Sequence, residues 1–478
     1  MSPVLLRSEL LRDGAIDRLD AEFFDEERIA TETRLRRQAG LALGEHFDIS
    51  EARAADPRKN ATPGETITYV EIGNIDTRDG FVLCEPTLAE EAPSRARVLL
   101  RVGMVGMSTV RPVRSQVFFV TQDLDRAIGT TGFIMLTDRG KGQITPDVLF
   151  PALKTRHVID QLDRRARASM YPTLSPRDVS DVVLPRLPKR VVSSVQQSIT
   201  AARAERAEFL KRQVVLRAIA NRYFGAMDPE LLIANLGDGR ATTRKRNDLI
   251  EKDDLGRIDA EFHAAAFDDA IKRMQRAGPV EPLGKLASWI STGSSPAEAE
   301  YSDCDEETQS AVIKVGALTG AGINWPAMAF APKKYADAEE NRVQDGDILF
   351  TSTAHQPKYM AHKIDVVRAI PTELRDRITF VGELMGLRIN DPKRMPPDYV
   401  AAFLRNPLGK EQIRRCIRGI SSHVYPEDVR EIVVPIPDEK TAKAIAKAAR
   451  EVEEARWAYG RLVRQAIEAI EIHVESVL

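Results

Sequence analysis

The chain has 478 residues, of which 29% are charged, with a formal net charge of -2 and a mean hydropathy of -0.29. These values are typical of a soluble globular protein with roughly two to four domains, and they argue against a chain that binds nucleic acid through overall positive charge. No apolar run approaches the roughly 20 residues of a membrane helix, and the charged N-terminus is unlike a signal peptide. We therefore expect a cytoplasmic protein with no membrane span.

Local composition differs from this average. Residues 91–170 carry 13 Lys or Arg against 7 Asp or Glu. A local basic patch is what binding to nucleic acid requires, although ordinary solvated charges would give the same count. Cys84, Cys304 and Cys416 are few and scattered, so they predict buried free thiols and not a disulfide framework or a CxxC zinc site.

Two segments of the sequence occur twice. Residues 18–23 (RLDAEF) return at 257–262 (RIDAEF), 239 residues later. Residues 179–185 (VSDVVLP) return at 429–435 (VREIVVP), 250 residues later. A period this long exceeds the roughly 20–50 residues of solenoid repeats. The sequence therefore predicts two similar domains in tandem, each ending in a helix.

Each copy contains a stretch of mixed α/β character. Strand-like runs lie at 66–72, 81–84, 98–105, 117–120, 132–136 and 179–184 in the first copy, and at 311–315, 347–351, 383–389 and 431–435 in the second. Between matching anchors the loops differ, for example 111–116 against 354–358. A repeated scaffold with divergent loops predicts two different ligand sites on one fold, and drift without function would leave the same pattern.

A long helix is predicted after each proline-closed strand. Apolar residues recur at spacings of three and four over 192–223 and again over 445–477. An offset of 250 places Val195 on Ile445 and Phe209 on Tyr459. Residues 190–224 alone would form a rod of roughly 50 Å. The matching apolar seams predict that the two helices pair as a coiled coil, and a helix packed on its own domain would show similar spacing.

These patterns divide the chain into four parts. We place an N-terminal domain at 1–188, a central helix at 189–225, a linker with the C-terminal domain at 226–437, and a distal helix at 438–478. Residues 225–256 are polar and rich in turn-forming residues, as is typical of a linker. The predicted fold class is α+β, with two α/β domains in tandem, each followed by a long helix.

No segment of the sequence has the pattern of an enzyme site. The glycines at 320–322 lack the Lys-Ser or Lys-Thr of a Walker loop, and no zinc-binding helix or Gly-x-Ser-x-Gly elbow appears. Residues 406–409 (NPLG) lack the second proline and the aromatic residue with which amino-methyltransferases hold a flipped base. Asp345 and Asp347 are better explained by a turn before a strand than by a metal. We expect no catalytic residue, no metal and no cofactor.

The order of these parts resembles the specificity (S) subunit of type I restriction–modification enzymes. Residues 343–352 (VQDGDILFTS) resemble the family's GDIL…S segment. Residues 420–429 (ISSHVYPEDV), closed by 434–437 (VPIP), resemble its polar turn, P-x-D-(L/V) step, strand and proline pair, and 169–179 (SMYPTLSPRDV) is a weaker form. The family's Glu-Gln pair at the helix starts is replaced here by 438–440 (DEK) and 189–190 (KR).

The resemblance implies both a fold and a function. Two target recognition domains would each read one half of a split sequence in double-stranded DNA. Two spacer helices, paired as an antiparallel coiled coil with internal pseudo-twofold symmetry, would set the gap between the halves. The helices would also dock DNA adenine methyltransferase (M) subunits, two of them, with or without a motor–nuclease (R) subunit. The chain itself would be a non-catalytic DNA reader in restriction–modification and phage defence.

We expect the DNA-facing residues in the divergent polar loops, because loops vary where ligands differ. Arg111 and Gln356 are the candidates for base edges, since arginine suits guanine and glutamine suits adenine. Arg164 and Arg165 are further candidates beside the second loop of the first copy. The DNA-binding set is Ser108, Thr109, Arg111, Arg114, Ser115, Gln116, Arg167, Ser169, Tyr171, Thr351, Ser352, His355, Gln356, Lys358, Tyr359, Lys363, Arg418, Ser421, Ser422 and His423.

Two other functions are compatible with the sequence. The missing Glu-Gln pairs would suit an S-subunit-like DNA reader in another phage-defence or DNA-modification system. The near-neutral net charge would suit a protein scaffold whose helices oligomerise and whose domains bind protein. Salt-dependent binding to duplex DNA would exclude the scaffold.

Overall fold

A computed structural model describes residues 23, 25–38, 40–50, 53–54, 56–84, 86–142, 144–167, 172–224, 262, 265–302, 308–337, 342–419 and 422–477. The chain divides into two compact units. The first unit is Met1–Ala207 with Trp457–Leu478, and the second unit is Glu208–Arg456.

Among the described residues, the secondary structure alternates short strands with short helices before each long helix. The helices are α1 (Glu26–Arg37), α2 (Leu43–His46), α3 (Pro57–Asn60), α4 (Pro146–Ala152), α5 (Arg156–Arg165), α6 (Pro176–Ser180), α7 (Lys189–Phe224), α8 (Ala265–Ala277), α9 (Leu283–Leu286), α10 (Lys334–Asp337), α11 (Pro397–Arg405), α12 (Pro407–Arg415), α13 (Pro426–Arg430) and α14 (Glu439–Val477). Several begin with proline, whose fixed φ suits the first turn of a helix.

The strands of the first unit are β1 (Leu41–Ala42), β2 (Phe47–Ser50), β3 (Thr66–Val70), β4 (Pro86–Leu88), β5 (Ala96–Leu99), β6 (Val105–Ser108), β7 (Val117–Phe119), β8 (Ile128–Thr130), β9 (Phe133–Asp138) and β10 (Val183–Leu184). Those of the second unit are β11 (Val280–Pro282), β12 (Ala287–Thr292), β13 (Gln309–Ile313), β14 (Ala329–Pro332), β15 (Ile348–Thr351), β16 (Thr353–Ala354), β17 (Ile364–Val366), β18 (Ile378–Phe380), β19 (Leu384–Ile389), β20 (Ser422–His423) and β21 (Val433–Pro435).

The first unit is built on two four-stranded sheets. One is antiparallel with the order β2-β9-β6-β7, and the other has the order β4-β3-β8-β5, in which β3 and β8 run parallel. Phe118 and Phe133 pack in the core with ring centroids 5.1 Å apart. Gly106 lies against the Phe118 ring, where a Cβ would come within 2.3 Å of it. The apolar core therefore reaches the end of β6, where the polar loop begins.

The second unit repeats most of this arrangement of strands. Its four-stranded sheet has the order β12-β19-β15-β17, and β13 pairs in parallel with β18 in a second sheet of order β14-β13-β18, which has no counterpart of β5 among the described residues. Gly386 of β19 lies against Trp289, and a Cβ there would come within 2.4 Å of the indole. Both units thus combine a four-stranded sheet with a second sheet that contains a parallel strand pair.

A buried glutamine in each unit bonds to the short strand that precedes the long helix. In the first unit, the Gln161 side chain donates to the Val183 carbonyl and accepts from the Val183 amide, both at 2.9 Å. In the second unit, Gln412 bonds to Val433 in the same way at 3.0 and 2.9 Å. Because an unpaired buried amide is costly, these bonds fix the strand to the helix beside it.

The repeated N-terminal motif ends in a phenylalanine that contacts an arginine in each unit. Phe23 accepts a hydrogen bond from Arg164 at its carbonyl, and the guanidinium carbon lies 4.8 Å from the ring centroid. Phe262 contacts Arg415 in the same manner, with the guanidinium carbon 4.4 Å from the ring centroid. The other residues of both motifs lie outside the described residues.

The predicted strands overlap the observed ones in most places. The run at 98–105 is wrong as one strand, because a turn with Gly103 at φ of 86° separates β5 from β6. The run at 179–184 is a second exception, because Ser175 and Asp178 form a capping box that begins α6, and only Val183–Leu184 is extended. The run at 81–84 contributes a single bridge at Val82. These differences arise where a polar cap or turn outweighs apolar, β-branched composition.

The two long helices are those that the sequence predicted, and they cover Lys189–Phe224 and Glu439–Val477. Within the first unit, the Phe81 ring lies 4.7 Å from the Arg206 guanidinium of α7 and 4.9 Å from the Tyr459 ring of α14. Within the second unit, Arg212 of α7 donates to the Glu451 carbonyl of α14 at 2.7 Å. Coiled-coil pairing along the helices and pseudo-twofold symmetry stay predictions.

No helix in the described part of the chain combines the length and the apolar character that crossing a bilayer requires.

Glu32 of α1 binds three arginines in the interior of the first unit. Its carboxylate accepts hydrogen bonds from Arg164, from Arg165 at 2.7 Å and from Arg36 at 2.9 Å. Burial alone would raise the pKa of Glu32, but the hydrogen bond and charge of Arg165 and the charge of Arg164 outweigh it and lower this pKa from 4.5 to about 2. The carboxylate thus stabilises the fold above pH 4.5, and this contribution is lost as the pH falls towards 2.

Replacing Glu32 by glutamine should destabilise the first unit by about 3–5 kcal/mol at pH 7, because two buried guanidinium groups lose their anion. The stability of the variant should also fall less than that of the wild type between pH 4.5 and 2. Urea titrations over this pH range measure both effects. Glu27→Gln on the exposed face of the same helix is the matched control, and a loss for Glu32→Gln no larger than that of the control would contradict the assignment.

Candidate nucleic-acid interface

In the first unit, two polar loops that are far apart in the sequence lie side by side. The Arg111 amide donates to the Pro172 carbonyl at 2.8 Å, and the Leu174 amide donates to the Thr109 carbonyl at 3.0 Å. Next to this contact, the Arg167 amide donates to the carbonyl of residue 173 at 3.0 Å. We call residues 108–116, 167 and 172–174 the first edge.

The second unit joins the corresponding two loops in the same way. The Val424 amide donates to the Ser352 carbonyl at 2.9 Å, as Leu174 does to Thr109. Strands β16 and β20 pair with Thr353 opposite His423, and the Thr353 hydroxyl lies 3.0 Å from His423 Nδ1. We call residues 351–363, 418–419 and 422–425 the second edge.

The four loop sequences share one electrostatic property. Residues 108–116, 167–174, 351–363 and 418–424 contain no Asp or Glu. A loop surface that carries cations and no carboxylate attracts polyanions even when the whole protein is near neutral. The cations of these loops are Arg111, Arg114, Arg167, Lys358, Lys363 and Arg418.

The predicted residues of the first edge differ in exposure. Arg114 and Arg167 are exposed, whereas Arg111, Ser115 and Gln116 are half-buried. The Gln116 side chain donates to the carbonyl of residue 72 at 3.1 Å. The loop therefore presents Arg114 at its tip and secures its second half to the domain.

The second edge presents a different set of side chains. His355, Gln356 and Tyr359 are exposed, and Lys363 is half-buried. These residues offer an imidazole, a carboxamide, a phenol and an ammonium, whereas the exposed polar groups of the first edge are guanidinium groups. The two edges share a backbone arrangement and differ in the chemistry that faces solvent.

Four predicted DNA-facing residues have buried side chains, and the expectation for them is corrected. Ser108, Thr351, Ser352 and Ser422 are each at most 6% exposed. The Ser108 hydroxyl donates to the carbonyl of residue 110 at 3.1 Å and accepts from its amide at 3.2 Å. The Ser108 side chain thus supports the turn between strand and loop. The half-buried Thr109 hydroxyl similarly bonds to the carbonyl of residue 132 at 3.1 Å.

The expectation that Arg164 and Arg165 face DNA is also wrong. Both were expected near the DNA, but both are buried and bind the Glu32 carboxylate. They lie on the face of α5 that packs against α1, where both guanidinium groups form ion pairs with Glu32. Local sequence did not reveal this, because their partner lies more than a hundred residues earlier.

Some predicted residues lie outside the described residues. These are Ser169, Tyr171 and Ser421, together with the side chain of Lys358. Their DNA-facing role stays a prediction.

Sequence reasoning missed three exposed side chains on the two edges. Val113 is 54% exposed at the tip of the first edge, and Tyr425 is 43% exposed on the second. The Tyr425 ring stacks with His423 at 6.3 Å between centroids, and exposed His362 lies edge-on to Tyr359 at 6.4 Å. An aromatic residue directly before the proline that begins α13 was a readable signal for Tyr425.

Arg418 is held by an acidic residue of its own unit. Its guanidinium donates two hydrogen bonds to the Asp428 carboxylate, at 2.8 and 2.5 Å. Asp428 is fully buried. The guanidinium carbon also lies 5.7 Å from the Tyr425 ring centroid. Arg418 therefore supports the aromatic part of the second edge, and its charge is largely neutralised there.

Arg418→Met should lower the unfolding free energy of the second unit by about 3 kcal/mol, because it leaves a buried carboxylate without its cation. Arg167 holds the same place in the first repeat but is exposed, so Arg167→Met should change stability by less than about 0.5 kcal/mol. Urea titration of the two variants compares them directly. Equal losses of unfolding free energy in the two variants would contradict the claim that the buried Asp428 carboxylate depends on Arg418.

Among the described residues, no group of three or more His, Cys, Asp or Glu side chains could hold a metal ion. Cys416 is buried and Cys84 is half-buried, and Cys304 lies outside the described residues.

No protein-family model matches the chain, and no curated protein matches it. Solved structures do. The chain is similar to an HsdS subunit from Thermoanaerobacter tengcongensis, with 18% identity over 92% of this chain and 97% of that chain and a TM-score of 0.30. It is also similar to a chain from a structure of the type I R-M system that concerns complex assembly and conformational transition, with 18% identity, coverage of 90% and 96% and a TM-score of 0.30.

A third similar structure is the S subunit of a type I restriction-modification system from M. genitalium, with 10% identity, coverage of 92% and 94% and a TM-score of 0.29. At TM-scores near 0.3 the backbones superpose poorly as whole chains. The structural neighbours of the chain are specificity subunits of type I restriction–modification systems, matched over about nine tenths of its length.

Proposed function

We propose that this chain is the DNA-recognition subunit of a type I-like restriction–modification complex and has no catalytic site of its own. The observation that carries the proposal is the duplicated edge: the same backbone bonds join the same two loops in both units, while the exposed side chains differ. Such an arrangement suits a molecule that reads two different short sequences with one kind of surface. The first edge would read one half-site and the second edge the other.

The chemistry of the edges suits base recognition. Specific reading requires a few planar donors and acceptors aimed at base edges, with cations on phosphates to set the register. Arg114 and Arg111 of the first edge can bind guanine, and Gln356 of the second can bind adenine through two hydrogen bonds. Tyr425 and Tyr359 offer apolar contact to a thymine methyl group or a deoxyribose. The first half-site is therefore expected to contain guanine and the second adenine.

The long helices would set the distance between the half-sites and dock the partner subunits. A helix of 36 residues such as α7 is a rod of roughly 54 Å, and a rigid spacer converts its length into half-site spacing. The partners would be DNA adenine methyltransferase subunits, two of them, with or without a motor–nuclease subunit. Their role here follows from the resemblance and from the absence of an enzyme motif in the sequence.

The replaced Glu-Gln pair is the observation that would favour a DNA reader in another phage-defence or modification system. In the structure, Asp438 caps the start of α14 and accepts hydrogen bonds from the Thr441 amide and hydroxyl at 2.9 and 2.7 Å. Asp438 thus supplies a side-chain cap at the start of α14, where the family has its Glu-Gln pair. We therefore prefer the restriction–modification assignment.

Replacing single exposed residues should affect one half-site at a time. Arg114→Ala should weaken binding to the cognate duplex by about 5–100-fold and relax the preference in the first half-site only, as loss of a bidentate base contact does. Gln356→Ala should relax the second half-site only. Binding to a randomised duplex pool, with the methyltransferase partner present, measures both preferences in each variant.

The control is Arg101→Ala, which removes an exposed arginine at the opposite end of β6 from the first edge and should leave both preferences unchanged. Wild-type binding should weaken steeply with salt, because phosphate contacts release counter-ions. Binding that is independent of salt, or methylation of DNA by the purified chain alone, would contradict the proposal. Methylome sequencing of the host with and without the gene would reveal the bipartite site directly.

A further inference from the structure

The loop of the first edge has an unusual backbone. Arg111 and Ser115 are non-glycine residues with φ of 50° and 49°, in the left-handed region, and they flank a short 3-10 turn at Pro112–Arg114. Residues with a Cβ adopt this region at a cost, and they persist there only when the surroundings hold them. Something outside the loop must therefore maintain its shape.

Lys154, two residues after α4, provides that restraint. Its side chain is buried, with 6% of the residue exposed. The ammonium donates to the Ser115 carbonyl at 2.7 Å, to the Thr77 carbonyl at 2.8 Å and to the Ser115 hydroxyl at 3.3 Å. A lysine has three N–H donors, and all three have acceptors within the protein. Lys154 is therefore not available to contact DNA and acts on the loop instead.

The charges around Lys154 make a buried cation tolerable. Burial lowers its pKa to about 8, and the nearby carboxylates of Asp79 and Asp76 act in the opposite direction. Arg78 lies in the same region, but its charge is paired with Asp76 at 2.7 Å. The ammonium is thus protonated at neutral pH and holds its three oxygen acceptors.

The second unit has a half-buried cation at the equivalent position. Arg405 follows Pro397 by eight residues, as Lys154 follows Pro146. It donates two hydrogen bonds to the Ile364 carbonyl, at 2.8 and 2.6 Å. Ile364 begins β17, the strand that leaves the second edge, and Ser115 stands just before β7, the strand that leaves the first. In both units a cation at or just after the end of the equivalent helix thus binds the main chain where the loop of the edge ends.

We infer that Lys154 is a positioning residue for sequence recognition: by holding the Ser115 carbonyl it fixes the tip of the first edge, and so it sets the preference of the first half-site without touching DNA. This inference rests on the proposed function. Val113 and Arg114 form the exposed tip of the loop that Lys154 holds. Lys154, a side chain of the domain interior, then determines where the Arg114 guanidinium lies relative to a base.

Lys154→Met tests the inference, because methionine has similar volume but donates no hydrogen bond. The complex with its methyltransferase partner is assayed against a randomised duplex pool. We expect the first half-site preference to fall at least about tenfold while the second is unchanged. Lys154→Arg should restore most of the first half-site preference, because Arg405 binds the corresponding main-chain carbonyl in the second unit. Lys141→Met, at an exposed position at the far end of β9, is the matched control.

The outcomes are distinguishable. If the wild type prefers a two-part sequence and Lys154→Met keeps both preferences in full, or loses both equally as a loss of folded protein would, the positioning role is overturned and the proposed function stands. If the wild type has no sequence preference, the proposed function fails and the inference with it.

A second measurement needs no variant. The amides of Arg111, Arg114 and Ser115 all donate to carbonyls in the free protein. They should exchange with deuterium at least about tenfold more slowly than in an unstructured peptide, although the loop is on the surface. Free exchange of these amides would show that the loop is not held, which would overturn the inference even if Lys154→Met does not fold.

Discussion

Main-chain hydrogen bonding between two distant loops is the constraint on which the candidate interface depends. In each unit, the chain that follows the central strand of the sheet pairs with the chain that precedes the last short helix, through Leu174 and Thr109 in one case and Val424 and Ser352 in the other. Backbone bonds impose no side-chain identity. The surface residues beside them can therefore change freely, which is the requirement for a recognition surface that must diversify while its frame stays intact.

Polar side chains that are buried or half-buried and bond to the main chain hold the loops in position relative to the sheet. Gln161 and Gln412 each satisfy both a carbonyl and an amide of the strand before the long helix, and Lys154 and Arg405 each bind the carbonyl at a loop exit. A buried group of this kind is costly to leave unpaired, so each bond specifies one position of the loop relative to the sheet. The two units use the same positions with either the same residue or another of the same charge.

The duplicated scaffold was predictable because its signals are local: repeated apolar runs, prolines that close strands and apolar seams on the long helices. The loops could be chosen as candidate sites because they differ between the copies. The helix at Pro176–Ser180 was missed although its capping box, Ser175 with Asp178, was readable. The inward positions of Arg164 and Lys154 were not predictable, because a buried cation and an exposed one look alike until the fold brings Glu32 or the carbonyl of Ser115 beside it.

The first unit combines two segments that are far apart in the sequence, and this has a consequence for its folding during translation. That unit includes Trp457–Leu478, and within it Glu471 accepts a hydrogen bond from the Arg156 amide at 2.9 Å while Tyr459 packs on Phe81. A ribosome completes residues 208–456 before it reaches this segment. The part of the first unit that is translated first therefore cannot complete its packing until Trp457–Leu478 has emerged, and the side chains that this segment covers, such as Phe81, stay uncovered until then.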